Sequence, residues 1–228
     1  MNLHEFFHIN TFNYPEQLLN AKGELFESHP RGKVFYQDGQ AFKGSIEEQL
    51  YYSDRAYNKN PFKKTILQNL LQKAYVVMDS KESLHGSVPS AGGLFPLEIY
   101  VAALNIEGID RGIYHFDKIE QVLTPISYIE KWTTDIYFPE INKFTEDSPV
   151  ILFMTCNFEN IVKKYGARGY RYALIEAGHI GQNVRSYCAR LNLASCPIGA
   201  FYDDTVNSLL NLQPGDFTVY AYSIGEKR

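Results

Sequence analysis

The chain has 228 residues, with 22 Lys and Arg against 26 Asp and Glu and a net charge of −4. That balance argues against a nucleic-acid-binding protein, which carries a basic excess or stripe, so an anionic ligand must be held by a local set of donors. No run approaches 18 consecutive apolar residues and no charged head with an apolar h-region opens the chain, so neither a membrane span nor a secretory signal is expected.

A chain of this length buries about 70–75% of its unfolded surface and needs no disulfide staples. Cys156, Cys188 and Cys196 have no metal-ligand spacing, which fits free thiols in a cytoplasmic protein. Residues 1–44 read as an irregular arm that wraps the domain or a neighbouring subunit. His4, His8 and His29 lie in it without a carboxylate or cysteine to complete a ligand set, and no metal site is expected. A domain is expected over 45–228.

Ser45 and Glu48 form a capping box for a helix running to about Tyr52. The next stretch, Ser53-Asp54-Arg55, offers a hydroxyl and a guanidinium, both good phosphate donors, or is a solvated loop. Ile66, Leu67, Leu70, Leu71 and Ala74 predict a helix over 64–77. Pro89-Ser90-Ala91-Gly92-Gly93-Leu94-Phe95-Pro96 is a turn-forming run whose glycines let backbone approach a ligand. It is not a P-loop, since no Gly-Lys-Ser/Thr follows and a strand comes next. Strands are expected over 97–104 and 112–117, joined through residues 105–108. The segment 124–148 is mixed, with helix expected around Ile126 to Phe138. Val150 to Thr155 reads as a central strand.

Lys164 to Tyr172 is crowded with titratable side chains and broken by Gly166 and Gly169. From Ala173 a helix is expected, with Ala177, Ile180, Val184, Cys188 and Leu191 on one face. Ala177, Gly178 and Gly181 cluster on its surface. Two glycines in a helix cost about 1 kcal/mol each relative to alanine, so they want a packing reason, either a core contact or a copy of the same helix in a dimer. Residues 193–204 connect to a short helix over 204–210, and 217–224 form the last strand.

Three stretches of this sequence resemble the SagB-type, thiazole/oxazole-forming dehydrogenases, a branch of the nitroreductase-like flavoproteins. They are Pro89 to Tyr100, Lys164 to Tyr172 with Glu176 to Asn183, and Cys196 to Asp204. Gly112 to Asp117 matches more weakly. The resemblance covers about residue 45 to the end. It implies an α+β three-layer sandwich, with a mostly antiparallel central sheet flanked by helices, and a homodimer with FMN at the interface.

Carried over by residue, the resemblance implies that Ser53 and Arg55 bind the FMN phosphate. Tyr51 and Tyr52 stand where the family has paired arginines. Lys227 and Arg228 match basic residues that close the phosphate site. Pro89, Ser90, Ala91 and Gly92 match the loop that contacts the flavin, and Ile198 and Gly199 the segment beside its ring. Lys164 and Tyr165 match a pair assigned to proton chemistry in azoline oxidation. Aromatising an azoline requires removal of a proton from a ring carbon and a hydride passed to the cofactor. Tyr165, Lys164 or both supply the base, and both reach one site only if the chain turns at Gly166.

The expected activity is FMN-dependent dehydrogenation of azoline rings to azoles in a ribosomal peptide. The alternatives are an NAD(P)H-dependent nitroreductase, quinone reductase or other small-molecule flavin oxidase, and a non-catalytic flavin-binding scaffold subunit. Peptide recognition would fall to a partner such as a cyclodehydratase complex.

Overall fold

The computed structural model describes residues 50, 52–80 and 83–228. The expected arm, its histidines and most of the helix expected over 45–52 lie outside the described residues. Helix α1 (Lys64–Ala74) is followed by a small hairpin, β1 (Val77–Ser80) with β2 (Ser83–Gly86). A 3-10 turn (Ala91–Gly93) leads into β3 (Leu97–Ala103), β4 (Gly112–Phe116) and β5 (Leu123–Tyr128). Then come a single turn α2 (Thr134–Tyr137), a 3-10 segment (Glu140–Asp147) and β6 (Val150–Asn157). Helices α3 (Phe158–Tyr165) and α4 (Arg168–Arg190), strand β7 (Leu193–Ile198), helix α5 (Asp203–Leu209) and strand β8 (Asp216–Glu226) complete it.

The main sheet has the order β5-β4-β3-β6-β8-β7, and every neighbouring pair is antiparallel. Alternation decides its two faces. Val150, Leu152, Met154 and Cys156 of β6 join the core under α1, α3 and α4. Ile151 and Phe153 join a second core with Phe138, Phe201, Val206 and Leu210. Because β6 is buried on both faces, its sequence is one unbroken apolar run. The result is the expected α+β three-layer sandwich with an antiparallel sheet between helical layers.

Four expectations need correction. The helix expected around Ile126 to Phe138 is largely strand β5, with one helical turn after it. Residues 193–198, expected as a connection, form edge strand β7. Both edge strands carry a proline, Pro125 and Pro197, which cannot donate to a ladder and is tolerated at a sheet edge. The central helix begins at Arg168 rather than Ala173, and α3 precedes it. The helix expected over 64–77 stops at Ala74, where the chain turns into β1.

Pairing fixes which ends meet. Leu97 of β3 faces Cys156 of β6, and Cys156 faces Phe217 of β8. The start of β3, the end of β6 and the start of β8 therefore share one end of the sheet. Leu193 pairs with Glu226, so Lys227 and Arg228 follow the other end.

Candidate functional site

The run 89–96 is held in an unusual shape. Gly92 and Gly93 have φ of 63° and 65°, and Phe95 has φ of 46°. Glycine adopts such angles freely, whereas a bulky residue there is strained by about 1–3 kcal/mol. Neighbouring groups hold Phe95. Its N–H donates to the Ser90 Oγ at 2.8 Å, and its ring packs on Gly86, where a Cβ would collide with it. Ser90 and Ala91 are half-buried, and Pro89 and Gly92 are exposed.

Lys164 and Tyr165 lie on the last turn of α3. The Asn157 side chain caps that helix, accepting from the Glu159 N–H at 3.0 Å. It ends at Gly166, with φ of 59°, and α4 starts two residues on. The two helices cross closely, since a Cβ on Gly169 would sit 2.8 Å from the Ile161 carbonyl oxygen. This turn brings both side chains to the 89–96 loop. Lys164 Nζ donates to the Gly92 carbonyl at 3.3 Å and sits 5.6 Å from the centre of the Tyr165 ring. A Cβ on Gly92 would collide with the Tyr165 hydroxyl and with Lys164 Nζ. The Tyr165 ring is braced edge-on by Tyr172, 5.2 Å away. Lys164, Tyr165 and Gly92 thus form one cluster.

The other predicted cofactor residues lie elsewhere. Tyr57 pairs with Lys227, and the Arg228 N–H donates to the Ala56 carbonyl at 3.1 Å. This pairing brings the segment that carries Ser53 and Arg55 alongside Lys227 and Arg228 beyond the Glu226 end of the sheet. Asp54 is in the group too, 3.6 Å from Lys227 Nζ. The Arg55 guanidinium lies over the Phe144 ring at 5.4 Å. Ile198 is buried at the end of β7, while Gly199 is exposed and a Cβ there would meet nothing within 4 Å. The eleven residues of β8 span about 33 Å at about 3.3 Å per residue. The basic cluster and the Lys164 cluster therefore stand at opposite ends of the sheet, with α4 running between them.

Sequence reasoning passed over two residues beside the loop. Glu176 on α4 is buried at 1% exposure, and Tyr75 donates its hydroxyl to Glu176 Oε1 at 2.8 Å. The signal was an acid among the residues that face the core. A groove of about 630 Å³ between α1 and β4, lined by Lys64, Gln68, Asp110 and Tyr114 among others, includes none of the predicted site residues. Among the described residues no group of His, Cys, Asp and Glu could hold a metal ion, and no helix is long and apolar enough to cross a membrane.

Fold and site together define a three-layer α+β sandwich with a polar cluster built on a glycine-bearing loop. The chain belongs to the nitroreductase family, whose profile matches residues 52–226. It is 30% identical over 176 residues to MJ1384 of Methanocaldococcus jannaschii, a protein named for that family, covering 77% of this chain and 86% of the relative. It is 28% identical over 162 residues to the microcin B17-processing protein McbC of Escherichia coli, covering 68% of this chain. The chain spans only 58% of the length of McbC. Among solved structures, a chain of the E. coli microcin synthetase McbBCD complex, with truncated pro-MccB17 bound, aligns with a TM-score of 0.73 at 21% identity. That alignment covers 98% of this chain and 91% of the other, and it supports the fold.

Proposed function

We propose that this chain is an FMN-dependent oxidoreductase that dehydrogenates azoline rings to azoles in a peptide, acting as a homodimer. The observation that carries this reading is the meeting of Lys164 and Tyr165 on Gly92. A base and a phenol stand together against an open stretch of backbone, which is what removal of a proton from a ring held there requires. The residues fit the cofactor. The missing Cβ at Gly92 admits Lys164 and Tyr165 against an exposed loop that presents backbone to a flat ring, and Ser53, Arg55, Lys227 and Arg228 supply donors for a phosphate.

One protomer holds these two groups too far apart for a single FMN. A second copy, packed antiparallel along α4, brings the basic cluster of one protomer to the Lys164 cluster of the other. When bound, FMN would supply the hydride acceptor, with dioxygen as the terminal oxidant. Within the chain, Lys164 Nζ or Tyr165 Oη takes the ring proton, and the Gly92 carbonyl fixes Nζ through its hydrogen bond. The names of McbC, a microcin B17-processing protein, and of the McbBCD complex with truncated pro-MccB17 bound support a peptide substrate and a partner complex, for which a cyclodehydratase is our reading.

The test is purification followed by an azoline peptide assay. The protein should be yellow, with about one FMN per chain, and the peptide should lose two hydrogens per ring by mass spectrometry. A colourless protein that refuses added FMN overturns the reading. A second reading, NAD(P)H-dependent reduction of nitroaromatics or quinones, draws on the likeness to MJ1384. NAD(P)H oxidation by the purified protein, without azoline oxidation, would favour it.

A further inference from the structure

Glu176 lies on the core face of α4, between Ala173 and Ile180, both fully buried. An acid there is costly unless its charge is neutralised or fully hydrogen-bonded. Oε1 accepts from Tyr75, itself fully buried. Oε2 has no hydrogen-bond partner among the described residues, and no ion pair among them includes Glu176. Burial pushes the carboxyl pKa up. The Ser90 and Tyr75 hydroxyls and the more distant charges of Lys118 and His179 pull the other way. Cys156 from β6 and Glu98 from β3 complete the surroundings through their own influence on, or from, Glu176 and Tyr75.

Ser90 is brought towards this carboxyl through Tyr75, whose hydroxyl bonds Glu176 and whose ring lies 6.4 Å from that of Phe95, the residue Ser90 holds; the Ser90 hydroxyl also acts on the carboxyl itself. A serine hydroxyl has one proton and two lone pairs. One lone pair takes the Phe95 N–H. An ionised Glu176 would draw the single Ser90 proton inward. A neutral Glu176 offers its own proton, on the unpartnered Oε2, to the second Ser90 lone pair. The Ser90 proton is then left to point out of the loop.

We propose that Glu176 is a positioning residue: in its neutral form it holds Ser90 as an outward donor to an acceptor atom on a flat heteroaromatic ring seated at the Ser90–Gly92 loop. The proposal rests on the flavin reading of this site and deepens it. It ties the core of α4 to ligand recognition through one shared proton.

The test measures FMN dissociation constants by fluorescence quenching, from about pH 5 to pH 9, for the parent, Glu176→Gln and Ser90→Ala. Gln donates as the neutral acid does and cannot ionise. The ratio of parent to Glu176→Gln dissociation constants should rise with pH by about 2- to 12-fold, one hydrogen bond's worth. Ser90→Ala should bind more weakly at low pH by a similar factor and lose that extra pH dependence. A constant ratio, or Ser90→Ala titrating like the parent, overturns the proposal. Urea unfolding of the flavin-free parent and Glu176→Gln separates this failure from failure of the flavin reading. The parent should lose stability relative to the variant as pH rises, and parallel curves overturn the neutral carboxyl. A parent that binds no FMN yet diverges from the variant overturns the flavin reading, and with it the ligand half of the proposal.

Discussion

Lys164 and Tyr165 are adjacent in sequence, yet both reach Gly92 because α3 ends on them and Gly166 turns the chain. Replacing Lys164 by Ala, or Tyr165 by Phe, should leave FMN bound while azoline oxidation falls by about 10²–10⁴-fold for at least one of the two. Single-turnover rates beside flavin content check this, since packing damage would lower both together. Gly92→Ala should do something different. A Cβ would be strained at a φ of 63° and would strike both side chains, so flavin content should fall with the thermal midpoint. Glu176 adds a pH signature. Its folded-state pKa is raised, so its stabilising contribution is complete below the unfolded value, near 4.5. It is lost as pH rises from there through the folded value. Urea midpoints of the parent should therefore fall over that window, and those of Glu176→Gln should fall less.

At the scale of elements, α4 separates two kinds of small residue that its sequence does not. Ala177 is buried, and a Cβ on Gly181 would lie 2.9 Å from Tyr220 and 3.0 Å from Tyr222. Of the two packing reasons open to the small-residue cluster, a core contact or a copy of the same helix, Ala177 and Gly181 thus take the first and face the chain's own sheet. Gly178 alone opens outward, with nothing within 4 Å of a Cβ, beside the exposed Leu174 and Ile175. Gly181→Leu should therefore destabilise the protomer itself, by about 1–3 kcal/mol as overpacking does, read by chemical unfolding. Gly178→Leu should spare the protomer fold but weaken self-association in sedimentation.

What was legible follows the same physics. β3 and β6 are largely buried and announce themselves as apolar runs, and β8 is buried over residues 221–225. β5 is nearly all exposed and contains Pro125, and β7 is rich in small residues and contains Pro197, so neither carries a strand pattern. In α4 the core positions Ala173, Ala177, Ile180, Val184 and Cys188 are all buried, but Leu191 is 45% exposed because the helix has already ended. The Lys164–Gly92 meeting was legible only through the family resemblance, since the two lie 72 positions apart and no local signal joins them. The bond between Tyr75 and Glu176, 101 residues apart, left a single trace, an acid on the core face of a helix.

At the scale of the described molecule, the sheet carries the Lys164–Tyr165 cluster at one end and the basic residues Lys227 and Arg228 at the other. Helix α4, 23 residues long, measures about 34 Å at about 1.5 Å per residue, matching that separation. In the proposed dimer each active centre borrows its halves from different chains. This has a genetic consequence. Arg55→Ala and Lys164→Ala should each cripple the homodimer, the first by lowering FMN affinity about 10- to 150-fold through loss of a charge-assisted bond. Co-expressed with different tags, the two defective chains should form mixed dimers in which one centre carries both lesions and the other carries none. Two dead alleles would then make one living enzyme, with about half the parent turnover per dimer purified through both tags. If each centre were built within a single chain, every centre in the mixed dimer would carry one lesion, and no activity would return.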